Sequence, residues 1–243
     1  MRAAEVRVWT AFAHDLGQAD EAALGRLLAA DERERASRFR FDADRRGYVL
    51  AHALRRCVLG RSLATHPADL RFHDDTRGQP ALLGAPRPIF FSHARNRTAV
   101  AVAMTEAGPL GVDIEAIDAS RADPALLSRL VAHSDAADFF VQWTVVEAFW
   151  KASGTGLADG NPRIRLEREG EGEGQFLVRE GESALAPAAG RAVAITSLAG
   201  LSIAVAIRGP GFVPEIRHFH CSCAMEINQL CNDVPSHEQL GHV

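Results

Sequence analysis

The sequence predicts an α+β fold made of two similar halves. Three observations carry this expectation. Segments with the period-two alternation of strands are interspersed with segments whose apolar residues recur at the helical period of 3.6. An Ala/Val strand closed by a Gly-Pro turn occurs twice, as Ala99–Met104 before Gly108-Pro109 and as Ile203–Ile207 before Gly209-Pro210. The two copies lie about 100 residues apart, and a chain of 243 residues has room for two small domains or one large one. The expected halves are 1–106 and 107–213, followed by a tail, 214–243, that is expected to be poorly ordered.

Val6–Phe12 alternates as a half-buried strand, with Val6, Val8 and Phe12 on one side. Ala22–Ala30 reads as a helix with Leu24, Leu27 and Leu28 on one face, and a charged stretch, Glu32–Arg40, follows. Asp44 is a candidate cap for a longer helix to Leu59, whose stripe is Val49, Leu50, Ala53, Leu54, Cys57 and Val58. Short strands are expected at Leu70–His73 and Ala81–Leu83 around a Gly78–Pro80 turn, then at Ile89–Ser92, Ala99–Met104 and Leu110–Ile114. Asp123-Pro124 opens a helix with a cap and a first-turn proline. Ser134 or Asp135 opens the next, which carries Phe139, Phe140, Trp143 and Trp150 and stops at Ser153-Gly154, a left-handed cap. The remaining strands are Ile164–Leu166, Phe176–Val178, Ala192–Ser197 and Ser202–Ile207.

An apolar share of 47% and a net charge of −4 imply no general affinity for nucleic acid or an anionic membrane. No stretch reaches the roughly 20 apolar residues of a membrane span, and the N-terminus lacks the apolar core of a secretory signal. The expectation is a cytoplasmic protein. The spacing of the four cysteines suggests no disulfide framework, and Cys57 reads as a core residue. The Cys and His residues beyond Arg217 lack the paired spacing of a strong zinc site. The glutamates of Glu167–Gly174 read as a solvated hairpin loop. Of the 27 basic residues only Lys151 is a lysine, so the chain keeps an ammonium at one place.

Three pieces carry candidate chemistry. In Gly111-Val-Asp-Ile-Glu115, a strand puts Asp113 and Glu115 on one face. Two carboxylates there repel unless a cation or proton sits between them, which makes a half-site for Mg²⁺ or, equally, a solvated strand end. In the second piece, Glu147 and Lys151 are four apart on a helix and share a face. Such pairs are common on surfaces, but this one lies in a tryptophan-rich apolar helix. The third is Phe90-Phe-Ser-His93, where Ser92 and His93 end an apolar strand as potential phosphate donors.

The order Gly-Gln-Pro (78–80), Phe-Ser-His (91–93), Gly-Val-Asp-Ile-Glu (111–115) and Trp-Thr-x-x-Glu-Ala-x-x-Lys-Ala-x-Gly-x-Gly-Leu (143–157) resembles the surfactin-synthetase-activating class of 4′-phosphopantetheinyl transferases. The resemblance runs from about Val6 to Pro210 and is specific through its last two motifs as a pair. It implies a pseudo-dimer of two α+β halves and transfer of phosphopantetheine from coenzyme A to a serine of an apo carrier protein, releasing 3′,5′-ADP. It further implies Mg²⁺ held by Asp113, Glu115 and Glu147. Lys151 would neutralise the diphosphate, Ser92 and His93 would bind the 3′-phosphate with Arg45 or Arg46, and Glu147 is a candidate general base. The expected partners are coenzyme A and an acyl or peptidyl carrier protein, with no nucleic acid or membrane. A monomer is expected, because the chain is about twice the single-repeat type, which assembles as a trimer.

The chain also departs from the family pattern. Val146 stands where the family has Lys, and Gln79 where it has Lys or Arg. Phe90-Phe91 replaces an Asn, Ala94 a Ser, and the stretch from Glu115 to Trp143 is short. These departures motivate the alternative reading, a degenerate non-catalytic module that binds coenzyme A or a carrier protein.

Overall fold

The computed structural model describes all residues except 1, 75–79, 137, 158–159, 170–173, 196–197, 199, 210, 223–225, 228 and 231–243. The expected Gly78–Pro80 turn therefore lies largely outside the described residues, as do Gln79 and much of the Glu167–Gly174 loop. The fold is α+β. Two compact units divide the chain: Met1–Val8, Ile89–Ala94 and Ala103–His218 form one, and Trp9–Pro88, Arg95–Val102 and Phe219–Val243 the other.

In chain order the elements are β1 (Arg2–Phe12), α1 (Gln18–Gly25), α2 (Ala30–Ser37), α3 (Asp42–Leu63), β2 (Phe72–Asp74), β3 (Pro80–Leu82), β4 (Phe90–Arg95), β5 (Ala99–Thr105) and β6 (Leu110–Ala116). There follow α4 (Pro124–Leu130), β7 (Val131–Ser134), α5 (Phe139–Ser153), β8 (Ile164–Arg168), β9 (Gln175–Glu180), β10 (Ala188–Ile195), β11 (Leu201–Arg208) and β12 (Phe212–Cys221). One sheet has the order β12-β1-β5-β4, a second the order β6-β11-β10-β9-β8-β7, and β2 pairs with β3.

In the unit built around α3, the first helix spans Gln18–Gly25 rather than the expected Ala22–Ala30. The Asp20 carboxylate reaches back to the Gly17 amide at 3.0 Å, so the start is fixed by a polar cap and not by the leucine stripe. The charged stretch forms a helix, α2, that no apolar stripe announced. Its Glu32 is buried. Glu32 Oε2 accepts from the Ala29 amide at 2.8 Å and from Arg56 Nε at 2.7 Å. Glu32 Oε1 accepts from His52 Nδ1 at 2.9 Å and Arg55 Nη2 at 2.6 Å. Arg56, also buried, donates from Nη1 to the carbonyls of Pro67 and Leu70. Helix α3 begins at Asp42 and ends at a left-handed Ala64, φ 51°. Cys57 is fully buried, as expected, and is disulfide-bonded, which the cysteine spacing did not indicate.

In the other unit, α5 lies on the second sheet. Val145, Val146, Phe149 and Trp150 pack against Ile164, Leu166, Phe176 and Val178. Ala192, Ala194, Ala204 and Ala206 carpet the sheet beneath the helix, and such small side chains admit close approach. Helix α5 starts at Asp138, whose carboxylate caps the Val141 amide, and not at Ser134 or Asp135. Those two residues are held elsewhere. Ser134 ends β7, which runs parallel to β8, and the Asp135 carboxylate accepts from the Arg168 amide at 2.8 Å. Gly154 takes the left-handed cap, φ 76°. Strand β12 was not anticipated; it crosses Arg217, where the composition changes, and runs to Cys221.

Candidate active site

Strand β6 is an edge strand, paired only with β11 in its sheet. In the register, Asp113 faces Ala204 and Glu115 faces Ser202, so both acids lie on the face covered by α5. Gly111 sets how near the helix comes. A Cβ at this position would sit 2.0 Å from the Ala148 carbonyl oxygen and 2.6 Å from the Ala152 amide nitrogen. Only glycine allows backbone to meet backbone at such a distance.

The helix runs antiparallel to the strand. Lys151 lies over Asp113, Glu147 is one turn earlier, and Trp143 one turn earlier still, over Glu115. Lys151 Nζ donates to Asp113 Oδ1 at 2.6 Å and lies 3.8 Å from Glu147 Oε2. The Trp143 indole lies near enough to Glu115 to favour its charged form. The structure thus brings together Asp113, Glu115, Glu147 and Lys151, which sequence spacing had joined only in pairs.

The cluster carries more negative charge than its surroundings relieve. Asp113 is buried, and its Oδ2 has no hydrogen-bond partner. Burial raises the pKa of Asp113, although the Lys151 ammonium pulls the other way. Burial, then the Asp113 charge, raises that of Glu115, with Arg121 and Lys151 opposing. Glu147 is raised by the same two causes, with Lys151 opposing and Glu115 adding to the repulsion. Among the described residues, no three His, Cys, Asp or Glu side chains are gathered tightly enough to hold a metal ion. The ammonium is shared between two of the acids that would have to converge.

The other predicted residues are placed as follows. Ser92 Oγ accepts from the Val112 amide at 3.2 Å, which ties β4 to β6 one residue before Asp113. His93 is half-buried on β4, and the strand's alternation sends it to the opposite face from Ser92. Arg45, in the α3 unit, is ion-paired with Glu21 at 2.6 Å and with Asp42 at 2.8 Å. Arg46 follows it on α3 and makes no hydrogen bond or ion pair among the described residues. Val146 is fully buried in the core beneath α5, so this face of the helix presents Lys151 as its one ammonium.

Sequence reasoning assigned no role to Gly111, to Trp143, or to the buried contact between Thr144 Oγ1 and Ser202 Oγ, 3.0 Å, that pins α5 to β11. Trp143 was legible in principle, since Trp143, Glu147 and Lys151 follow one another at four-residue intervals. Near the end of α5, Arg208 donates to Ser153 at 2.8 Å and pairs with Glu180, its guanidinium 5.0 Å from the Phe149 ring centre.

No family model matches the chain. It is similar to the 4′-phosphopantetheinyl transferase HetI of Nostoc sp., 31% identical over 152 residues that cover 56% of this chain and 63% of that protein. It is similar also to the 4′-phosphopantetheinyl transferase psf-1 of Bacillus pumilus, 28% identical over 147 residues that cover 55% of this chain and 61% of that protein. The chain therefore spans less than two thirds of either relative. Similarity along the sequence and the motif resemblance point to the same transferases.

Proposed function

We propose that the chain is a 4′-phosphopantetheinyl transferase, moving the phosphopantetheine arm of coenzyme A to a carrier-protein serine and releasing 3′,5′-ADP. One observation supports this above the others. Asp113 is buried beside Glu147 and Glu115, one of its oxygens is unpartnered, and three carboxylates are offset by the Lys151 ammonium and, at Glu115, by Arg121. A buried, unpartnered carboxylate oxygen with two further acids beside it suits a hard divalent cation once the side chains turn toward it, since such an ion takes oxygen ligands and Mg²⁺ is favoured beside phosphates. Asp113, Glu115 and Glu147 would hold it. When bound, it would supply positive charge to the coenzyme A diphosphate.

The chain's own residues do the rest in this reading. Trp143 orients Glu115. Lys151 neutralises charge on the diphosphate, and Ser92 or His93, which β4 turns to opposite faces, donates to the 3′-phosphate. Glu147, half-buried and with its proton affinity raised, is suited to take the proton of the attacking serine hydroxyl. The serine oxygen bonds to the β-phosphorus as the bond to the leaving 3′,5′-ADP breaks. The reading includes a cytoplasmic monomer built as a pseudo-dimer, with halves 1–106 and 107–213 and the tail 214–243. The echo of β5 in β11, both buried Ala/Val strands, supports the repeat.

The test is an intact-mass assay of purified protein, Mg²⁺ and coenzyme A against a panel of apo carrier proteins. The carrier is expected to gain one phosphopantetheine. Asp113→Ala and Glu147→Ala are each expected to lose at least about a hundredfold in rate, the scale of losing an electrostatic contact to the transition state. Full activity in either variant, or in excess EDTA, would overturn the metal assignment. The departures at Val146 and Gln79 favour a second reading, a module that binds coenzyme A or a carrier without transfer. Calorimetric binding with no arm transferred to any carrier would establish it.

A further inference from the structure

Lys151 places its ammonium between two acids of the cluster. Its Nζ is 2.6 Å from Asp113 Oδ1 and 3.8 Å from Glu147 Oε2. An ammonium held there repels a divalent cation approaching the same carboxylates. It also stands between two of the oxygens that would have to turn toward that cation. The helix backbone cannot carry it away, because α5 rests directly on Gly111, with Lys151 Cβ 2.9 Å from the place a Cβ would take. Only the side chain can swing.

The residue type fits a part that moves. Of the 27 basic residues, 26 are arginines, and Lys151 is the exception. An arginine at this place would grip Asp113 with a planar fork, two bonds at once. A lysine is a compact charge on a flexible four-carbon stem, and it exchanges one oxygen anion for another without rebuilding a fork.

We infer that Lys151 is an internal counter-ion that keeps the three-carboxylate site closed to divalent cations. The diphosphate of the co-substrate opens the site by drawing the ammonium off Asp113. The naming of the diphosphate rests on the transferase reading above; the ion pair does not. Divalent cation and coenzyme A then bind with positive cooperativity, each making room for the other.

The experiment uses the full chain and Mn²⁺ as probe, with the unbound ion read by electron paramagnetic resonance, with and without coenzyme A. For the unaltered protein, coenzyme A is expected to tighten Mn²⁺ binding by about tenfold or more, within the usual range of coupling between sites. Lys151→Met is expected to bind Mn²⁺ about tenfold or more tightly than the unaltered protein when coenzyme A is absent, and Asp113→Asn added to it removes the gain. Lys151→Arg is expected to weaken Mn²⁺ binding even with coenzyme A present.

A readout without substitution comes from the unique lysine. Labelling lysine with ¹⁵N and ¹³C gives one side-chain resonance. It should move on adding coenzyme A and stay in place with Mg²⁺ alone. Equal Mn²⁺ affinities of Lys151→Met and the unaltered protein, or a resonance that moves as far with Mg²⁺ alone, would overturn the inference while leaving the transferase reading intact. A resonance and a Mn²⁺ affinity both indifferent to coenzyme A would overturn the two together.

Discussion

Glu32 and Asp113 are both buried carboxylates beside cations, yet one is left with a proton affinity far below the ordinary and the other above it. Burial acts on both in the same direction, upward. At Glu32 it is outweighed by hydrogen bonds from His52, Arg56 and the Ala29 amide, together with the Arg56 charge. Both carboxylate oxygens are used, and two arginines serve one acid. At Asp113 one lysine pairs with two of three acids while Arg121 offsets the third, and one oxygen has nothing to accept from. The first cluster is a structural joint that stitches α2 to α3 and uses both oxygens of its acid, although Arg55 Nε is left without a partner. The second is incomplete by design of its geometry, and that incompleteness is what makes it fit a cation. The difference teaches that a buried acid is informative through its ledger of partners and not through its burial alone.

Removing a charge should therefore act oppositely in the two places. Glu32→Gln leaves Arg55 and Arg56 buried without their anion and should cost about 3–5 kcal/mol. At about 2–4 °C per kcal/mol for a chain of this size, a calorimetric melt would show the loss plainly. Glu147→Gln relieves repulsion and should leave the metal-free melting temperature unchanged or raise it. A fall in both would break the comparison. The same contrast has a pH signature. The folded-state value of Glu32 is depressed, so its stabilisation is in place above the ordinary glutamate value of 4.5 and is lost as pH falls toward the folded value. Melting temperatures followed from neutral to acid pH should drop less steeply for Glu32→Gln than for the unaltered protein.

Gly111→Ala tests whether closeness of helix and strand makes the acidic cluster. The added Cβ meets the Ala148 carbonyl at 2.0 Å, so α5 must rise. Overpacking of this kind costs on the order of 1–3 kcal/mol, and arm transfer should fall with the melting temperature. A variant with full transfer would show that the spacing is not needed. The smallest effect is expected from Trp143→Phe, which keeps the ring's bulk and removes the indole N–H near Glu115. Loss of a contact that orients a ligand should weaken Mn²⁺ binding in the presence of coenzyme A by about tenfold, with the fold unchanged by circular dichroism.

The acidic site was more legible in the sequence than the structural joint. Strand spacing placed Asp113 and Glu115 on one face and helix spacing placed Glu147 and Lys151 on another, while only the resemblance to the transferases joined the two faces. Gly154 announced the end of α5. Helix α2 was not legible as a helix, because its buried side is a glutamate paired with arginines about 20 residues away in sequence, and no hydrophobic period records such a partner. The true cap of α5, Asp138, was hidden by Ser134 and Asp135, two residues of equally good capping type. What disqualifies them is pairing with β8, a contact between distant segments. Strand β12 was masked by a change of composition that resembled a tail. The disulfide at Cys57 left no trace in cysteine spacing.

A chain with one lysine has one bond that a lysine-specific protease can cut, the one joining Lys151 to Ala152. That bond lies in the last turn of α5, whose backbone rests against β6, so it is reachable only when the end of the helix lifts from the sheet. Two fragments on a gel would then time the opening of this helix alone, with no label and no substitution, and occupancy of the acidic cluster would be read as a delay before the cut.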